Sequence, residues 1–148
     1  MHLTSHLIEM LISFNLLKVD GSLTRISVGV DGTVWGVNSN QDIWKRQGPG
    51  GHWKQVPGKL VDVSCHNKET VIGCNANGSI YKFSGGDVWV ECVGAATHVT
   101  TGQPGHAEVW HVNAENRIWR HSSGSLAPGI YRIKTAGHAA GGQPAGLC

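Results

Sequence analysis

The chain repeats itself with a period of about 37 residues, and no other property of the sequence restricts its fold so tightly. Residues 25–46, RISVGVDGTVWGVNSNQDIWKR, superimpose on residues 62–83, DVSCHNKETVIGCNANGSIYKF, at a shift of 37. Ser27 falls on Ser64, Val34 on Val71, Gly36 on Gly73, Asn38 on Asn75, Ile43 on Ile80 and Lys45 on Lys82. A third copy, EVWHVNAENRIWRH at 108–121, follows at a further shift of 38 and puts Val109, Asn113, Ile118 and Trp119 in the places of Val71, Asn75, Ile80 and Tyr81. Each copy closes with an aromatic and a glycine: Trp53 to Gly58, Trp89 to Gly94, and Tyr131 to Gly137. HAAGGQP at 138–144 echoes HVTTGQP at 98–104, and LLKVDG at 16–21 sits where WKQVPG at 53–58 ends the first copy. The chain therefore divides into a non-repeat segment, 1–15, and a repeat region, 16–148, with units at about 22–58, 59–94 and 95–137 and a partial fourth at 138–148.

Within a unit, short apolar runs alternate with turn formers. In the second unit, strands are expected at about 60–65, 70–75, 79–84 and 87–93, broken by HNKE, ANGS and SGGD. The 21 glycines and six tryptophans fit this picture, because glycine serves tight turns and tryptophan buries a large area from few positions. A four-stranded antiparallel sheet repeated at this spacing predicts an all-β chain built as a partial β-propeller, with about three complete blades plus terminal strands. Stacked blades bury both faces of each sheet, which accounts for nearly continuous apolar runs such as TVWGVN and TVIGCN.

The bulk properties exclude more than they assert. With 148 residues, 40% of them hydrophobic, the chain can build one domain. A formal net charge of +2, with Lys and Arg dispersed, gives no footprint for nucleic acid. The opening apolar run is too short and interrupted to span a membrane, and Glu9 together with the lack of a preceding cation argues against a signal peptide. Cys65, Cys74, Cys92 and Cys148 contain no CxxC pair, and their three pairings stay open. The nine histidines are scattered without HExxH or a close His/Cys cluster, so neither a metal nor another cofactor is expected. No GxSxG elbow, phosphate loop or repeated acid pair is present, and no enzymatic activity is expected.

The pattern ISVGxDGxVWGVNxxxxIWKR resembles the tectonin β-propeller repeat of fish-egg lectins, tachylectin-type lectins and tectonins, over about residues 16–144. WD40 units are longer and carry a different dipeptide. The resemblance implies a lectin-like propeller of about five or six blades, secreted, that binds glycans or bacterial surface lipopolysaccharide. The alternative it implies is an intracellular scaffold whose propeller face binds a protein. Three units cannot close a ring. The chain is thus expected to be a fragment of a longer product, or to self-associate.

The aromatics shared by every unit, Trp44 with Tyr81 and Trp119, and Trp53 with Trp89 and Tyr131, read as packing between blades. Trp35 and Trp110 differ, because the second unit has Ile72 there, and they are the candidate sugar platforms. Arg46, Arg120 and His111 lie on or beside strands near the repeated aromatics and are further candidates for ligand binding, the arginines because a guanidinium can hold phosphate or carboxylate. Asn38, Asn75 and Asn113 are expected to cap turns. Asn77-Gly78-Ser79 is a glycosylation sequon.

Overall fold

A computed structural model describes residues 15–102, 109–121 and 134–135, and every regular element among them is a β-strand. The first sheet runs β1 (Arg25–Val28), β2 (Thr33–Val37), β3 (Asp42–Gln47) and β4 (Lys54–Lys59), each antiparallel to the next. The second repeats this order with β5 (Asp62–Asn67), β6 (Thr70–Cys74), β7 (Ser79–Phe83) and β8 (Trp89–Ala95). The third contains β9 (His98–Thr101), β10 (Val109–Val112) and β11 (Ile118–His121). Strand positions in the second unit agree with the expected ones to within about two residues.

One element departs from expectation. A short β12 (Lys134–Thr135), in the segment expected to complete the third unit, pairs instead with Glu91 and Val90 of β8 and widens the second sheet to five strands. The physical reason lies in β8, an outer strand whose free N–H and C=O groups form a ready template for another strand. Among the described residues the third sheet has three strands. Residues 1–14, 103–108, 122–133 and 136–148, with Tyr131, Gly137 and the partial fourth unit, lie outside the described residues.

The hairpin between the second and third strands is built identically in all three sheets. Asn38 Oδ1 accepts from the N–H groups of Asn40 (3.0 Å) and Asp42 (2.9 Å), Asn75 Oδ1 from Asn77 (3.0 Å) and Ser79 (2.9 Å), and Asn113 Oδ1 from Glu115 (3.1 Å) and Arg117 (3.0 Å). The third residue after each asparagine is left-handed: Gln41 at φ 66°, Gly78 at 87° and Asn116 at 60°. This is a three-residue loop closed by a bulge, and the asparagine side chain supplies the turn bonds that the backbone cannot make for itself. The expected capping role of these asparagines is what the structure shows.

The sheets stack through their first strands. Ser27 Oγ accepts from the N–H of Cys65 at 2.9 Å, and Ser64 Oγ accepts from the N–H of Thr101 at 3.0 Å, so the same bond joins sheet one to two and two to three. Asp62 Oδ2 adds a bond from Val99 N–H (3.0 Å), and Val30 N–H donates to His66 O (2.8 Å). Behind this seam, Trp35, Phe83 and Trp89 meet edge to face, with ring centroids 4.8–5.7 Å apart, in a core that also holds Val37, Ile43 and Val71. A second core, with Ile72, Cys74, Ile80, Val99 and Val109, lies between sheets two and three.

At the outer rim, Trp89 Nε1 donates to Pro57 O (3.1 Å) and Trp53 Nε1 to Asp20 O (2.8 Å). Each indole lies against a glycine of the preceding segment, Gly58 at φ 116° and Gly21 at φ 125°, where a side chain would be both strained and in the way. Among the described residues no helix is long and apolar enough to cross a membrane.

Ser64→Ala removes the acceptor for a half-buried N–H, and the expected loss is about 1–3 kcal/mol. Chemical denaturation of the variant beside the wild type measures it. A shift in midpoint too small for about 0.5 kcal/mol would show that the seam is held by packing alone.

Candidate functional site

The seam leaves a cleft between the first and second sheets on the side of β3. It has a volume of about 260 Å3 and is lined by Thr33, Trp35, Lys45, Arg46, Gln47, His52, Lys54, Lys68 and Phe83. Strand alternation creates it: Ile43, Lys45 and Gln47 point from β3 toward the second sheet, with Ile43 in the core and the two polar residues at its margin. Lys45 Nζ lies 5.5 Å from the ring centre of Trp35 and 5.0 Å from that of Phe83. Gln47 is held in place by Thr33 Oγ1, which donates to its Oε1 at 3.0 Å, while its Nε2 donates to Asp31 O at 3.0 Å.

The charges around the cleft are unbalanced. Lys45, Arg46, Lys54 and Lys68 line it together with His52, and no carboxylate does. Asp87, just beyond, sits 3.8 Å from Lys45 Nζ and 3.9 Å from Lys54 Nζ. It is placed there by a left-handed backbone (φ 60°) at the end of the Ser84–Asp87 turn. These are loose, solvated pairs, so both ammonium groups stay available to an incoming anion. Asp31 is occupied elsewhere: its carboxylate accepts the N–H groups of Lys68 (2.8 Å) and Thr33 (3.1 Å), and the bond from Lys68 does most to hold its pKa below the ordinary carboxylate value. An aromatic floor, an amide, a hydroxyl and several cations can bind a polar, anionic ligand. The lining holds no acid–base pair of carboxylates.

The five residues singled out in the sequence do not converge. Trp35 is 1% exposed, and its ring packs on Phe83 and Trp89, so it offers no face on which a sugar could stack. Its Nε1 is nonetheless buried without a hydrogen-bond partner among the described residues. Trp44, which reads in the sequence as the packing residue of the pair, is the half-buried one and faces the opposite side of the sheet near Trp53. The reversal has a simple cause: residues one strand position apart in the repeat face different neighbours, and Trp35 is the one that points into the second sheet. Arg46 is committed to Gly48 O (3.1 Å) and Pro49 O and lies 5.2 Å over Trp53. Trp110, 47% exposed, and Arg120 are cross-strand partners 6.0 Å apart on the open face of the third sheet.

His111 is buried on the other face of β10, with its ring 5.1 Å from that of buried His121 and its Nδ1 unpaired among the described residues. It occupies the place of Gly36 and Gly73, where a Cβ would run into Leu23 and Leu60 respectively, and the third unit makes room with Ala96. Burial pushes the His111 imidazole below its ordinary pKa, partly opposed by a backbone hydrogen bond with Ala95. Burial, followed by the charge of His111, does the same for His121. Burial also pushes the free thiols of Cys65 and Cys74 up to about 12, which leaves them inert as nucleophiles.

Sequence reasoning misses the lysines of the cleft, although Lys45, Arg46, His52 and Lys54 fall within ten residues, the densest run of basic and potentially basic groups in the first unit. Lys68 comes from the next unit and is added only by the stacking. Among the described residues no group of three or more His, Cys, Asp or Glu could hold a metal ion.

Two outcomes are expected. Trp35→Ala costs about 3–5 kcal/mol by leaving a cavity in the first core, whereas Trp44→Ala costs much less, and thermal or denaturant unfolding separates them. Both histidines bind protons less readily folded than unfolded, so their neutral-state stabilisation is complete above the ordinary value of 6.5 and is lost as pH falls below it toward the folded values. The melting temperature should therefore drop as pH falls below about 6.5, and His121→Phe, which installs the residue found at Phe83, should flatten that dependence.

The family model described as the Tectonin domain matches residues 7–88. Tectonin-1 of Physarum polycephalum is 68% identical over 28 residues, a stretch that makes up 19% of this chain and 13% of that protein, so the match spans only a small part of the relative's length. With more than half of its length matched by that family model, on a stack of repeated antiparallel sheets, the chain belongs to the Tectonin domain family.

Proposed function

We propose that the protein is a carbohydrate-binding lectin whose repeated sheets are blades of a β-propeller, and that the cleft between the first two sheets binds a glycan bearing phosphate or carboxylate. The anionic sugars of bacterial lipopolysaccharide have that chemistry. The observation that carries the reading is the convergence of Lys45, Lys54 and Lys68 on a cleft floored by aromatic rings and lined by Gln47 and Thr33. Lysine supplies point charges that pair with phosphate or carboxylate, and the amide and hydroxyl suit sugar hydroxyls. Membership of a repeat family supports the same reading, because a repeated scaffold can offer several weak sites that act together.

Secretion belongs to this proposal. Asn77 lies exposed at the tip of the β6–β7 hairpin, where the sequon would be accessible to glycosylation. A second reading, a scaffold that binds protein partners, is favoured by the exposed Trp110, Ile118 and Trp119 on the third sheet.

Calorimetric titration with lipopolysaccharide and with its dephosphorylated form tests the first reading. Binding should weaken with added salt and on removal of phosphate. The Lys45→Ala/Lys54→Ala variant should lose about tenfold or more in affinity, the worth of one hydrogen bond to a charged group. Folded protein that shows no glycan binding above background, or binding indifferent to both lysines, would sink the proposal.

A further inference from the structure

Each sheet meets its neighbours with two different faces, and the repeat makes corresponding faces interchangeable. Toward the following sheet, Trp35, Ile72 and Trp110 hold one register position, each opposite a hydroxyl residue of the first strand: Ser27, Ser64 and Thr100. Trp35 and Ile72 are each 1% exposed because a sheet follows them, whereas Trp110 is 47% exposed. Toward the preceding sheet, Val28, Cys65 and Thr101 share a position. Cys65 is 6% exposed and donates its N–H to Ser27 of the sheet before, but Val28, which has no sheet before it among the described residues, is 67% exposed.

The two open faces are shaped for one another. The first sheet carries a hollow of about 520 Å3 whose lining includes Ile26, Val28, Val34, Arg46 and Trp53. Arg46 and Trp53 hold the repeat positions of Phe83 and Trp89, the two rings that receive Trp35 at the internal junction. The hollow is thus the socket into which a tryptophan at the Trp35 position fits, and the residue at that position on the other open face is Trp110.

We propose that the third sheet of one copy of this chain docks on the first sheet of a second copy, with Trp110 seated in the Arg46–Trp53 hollow and the Thr100 hydroxyl accepting the N–H of Val28. The junction is head to tail, so it must either close or propagate. Propellers close at about four to eight blades. The described residues of one copy supply three sheets, so three copies would supply nine but two copies six, and the assembly proposed is a ring of two chains with two identical junctions.

Light scattering coupled to size-exclusion chromatography of the 148-residue chain at micromolar concentration should give twice the 15.8 kDa of one copy. Trp110→Glu and Val28→Glu should each give a single copy. Their equimolar mixture should partly restore the dimer, because one of the two junctions is then intact. A wild type that stays single, a polymer that grows with concentration, or a mixture that fails to re-form the dimer overturns the proposal. Single-copy wild type would assign the open faces to other repeats or another protein. Both side chains are exposed in one copy, so each variant keeps the wild-type far-ultraviolet spectrum. A variant that unfolds would also overturn the proposal, by showing that these side chains are not free in the single copy.

Discussion

The structure depends on a seam of hydrogen bonds in which a serine hydroxyl of one sheet receives a backbone N–H from the first strand of the next. The first strand of each sheet is an edge, and an edge that is packed over but not paired would bury unsatisfied donors. Ser27 and Ser64 solve this at both junctions, each with a single oxygen placed by strand register. The aromatic and aliphatic core behind the seam contributes more area, but it is non-directional. The hydroxyl bonds set how far one sheet slides along the other, and with it which side chains face each other across the gap.

The cleft follows from that sliding. Held by the seam, the β3–β4 hairpin of the first sheet comes opposite the β7–β8 turn of the second, which brings Lys45 and Lys54 to the two oxygens of Asp87. One carboxylate shared by two ammonium groups, 3.8 and 3.9 Å away, neutralises neither completely, and the partial exposure of all three groups adds solvent screening. The result is a local positive field at the mouth of an aromatic-floored slot, in a chain whose overall charge is close to balanced.

Strand type, turn positions and the asparagine caps are legible in the repeat itself, because each is decided within a few residues. Asn38, Asn75 and Asn113 bond within their own hairpins, so their role follows from local sequence. The facing of Trp35 does not follow, since whether an indole is a platform or a core residue depends on which sheet comes next. The cleft is legible in part: Lys45 and Lys54 sit close in sequence, but Lys68 arrives from the neighbouring unit and Asp31 binds its N–H across 37 residues. The departure of Lys134–Thr135 to β8 has no local signal at all, because pairing at an open strand edge is decided by proximity rather than by sequence period.

Near-identical neighbours in one chain carry a hazard of their own, since a strand can pair with the wrong copy of its partner during folding. The exchange of Gly73 and Leu60 for His111 and Ala96 bears on that hazard. A strand carrying His111 cannot lie over Leu60, whose Cδ1 already fills the space of a Cβ at Gly73, while a strand carrying Gly73 would leave a void over Ala96. The third unit is therefore marked by volume. A swap between the second and third units is penalised in both directions, by overlap in one and by a cavity in the other. Side-chain volume thus tells the third sheet from the second, although the two share one strand order.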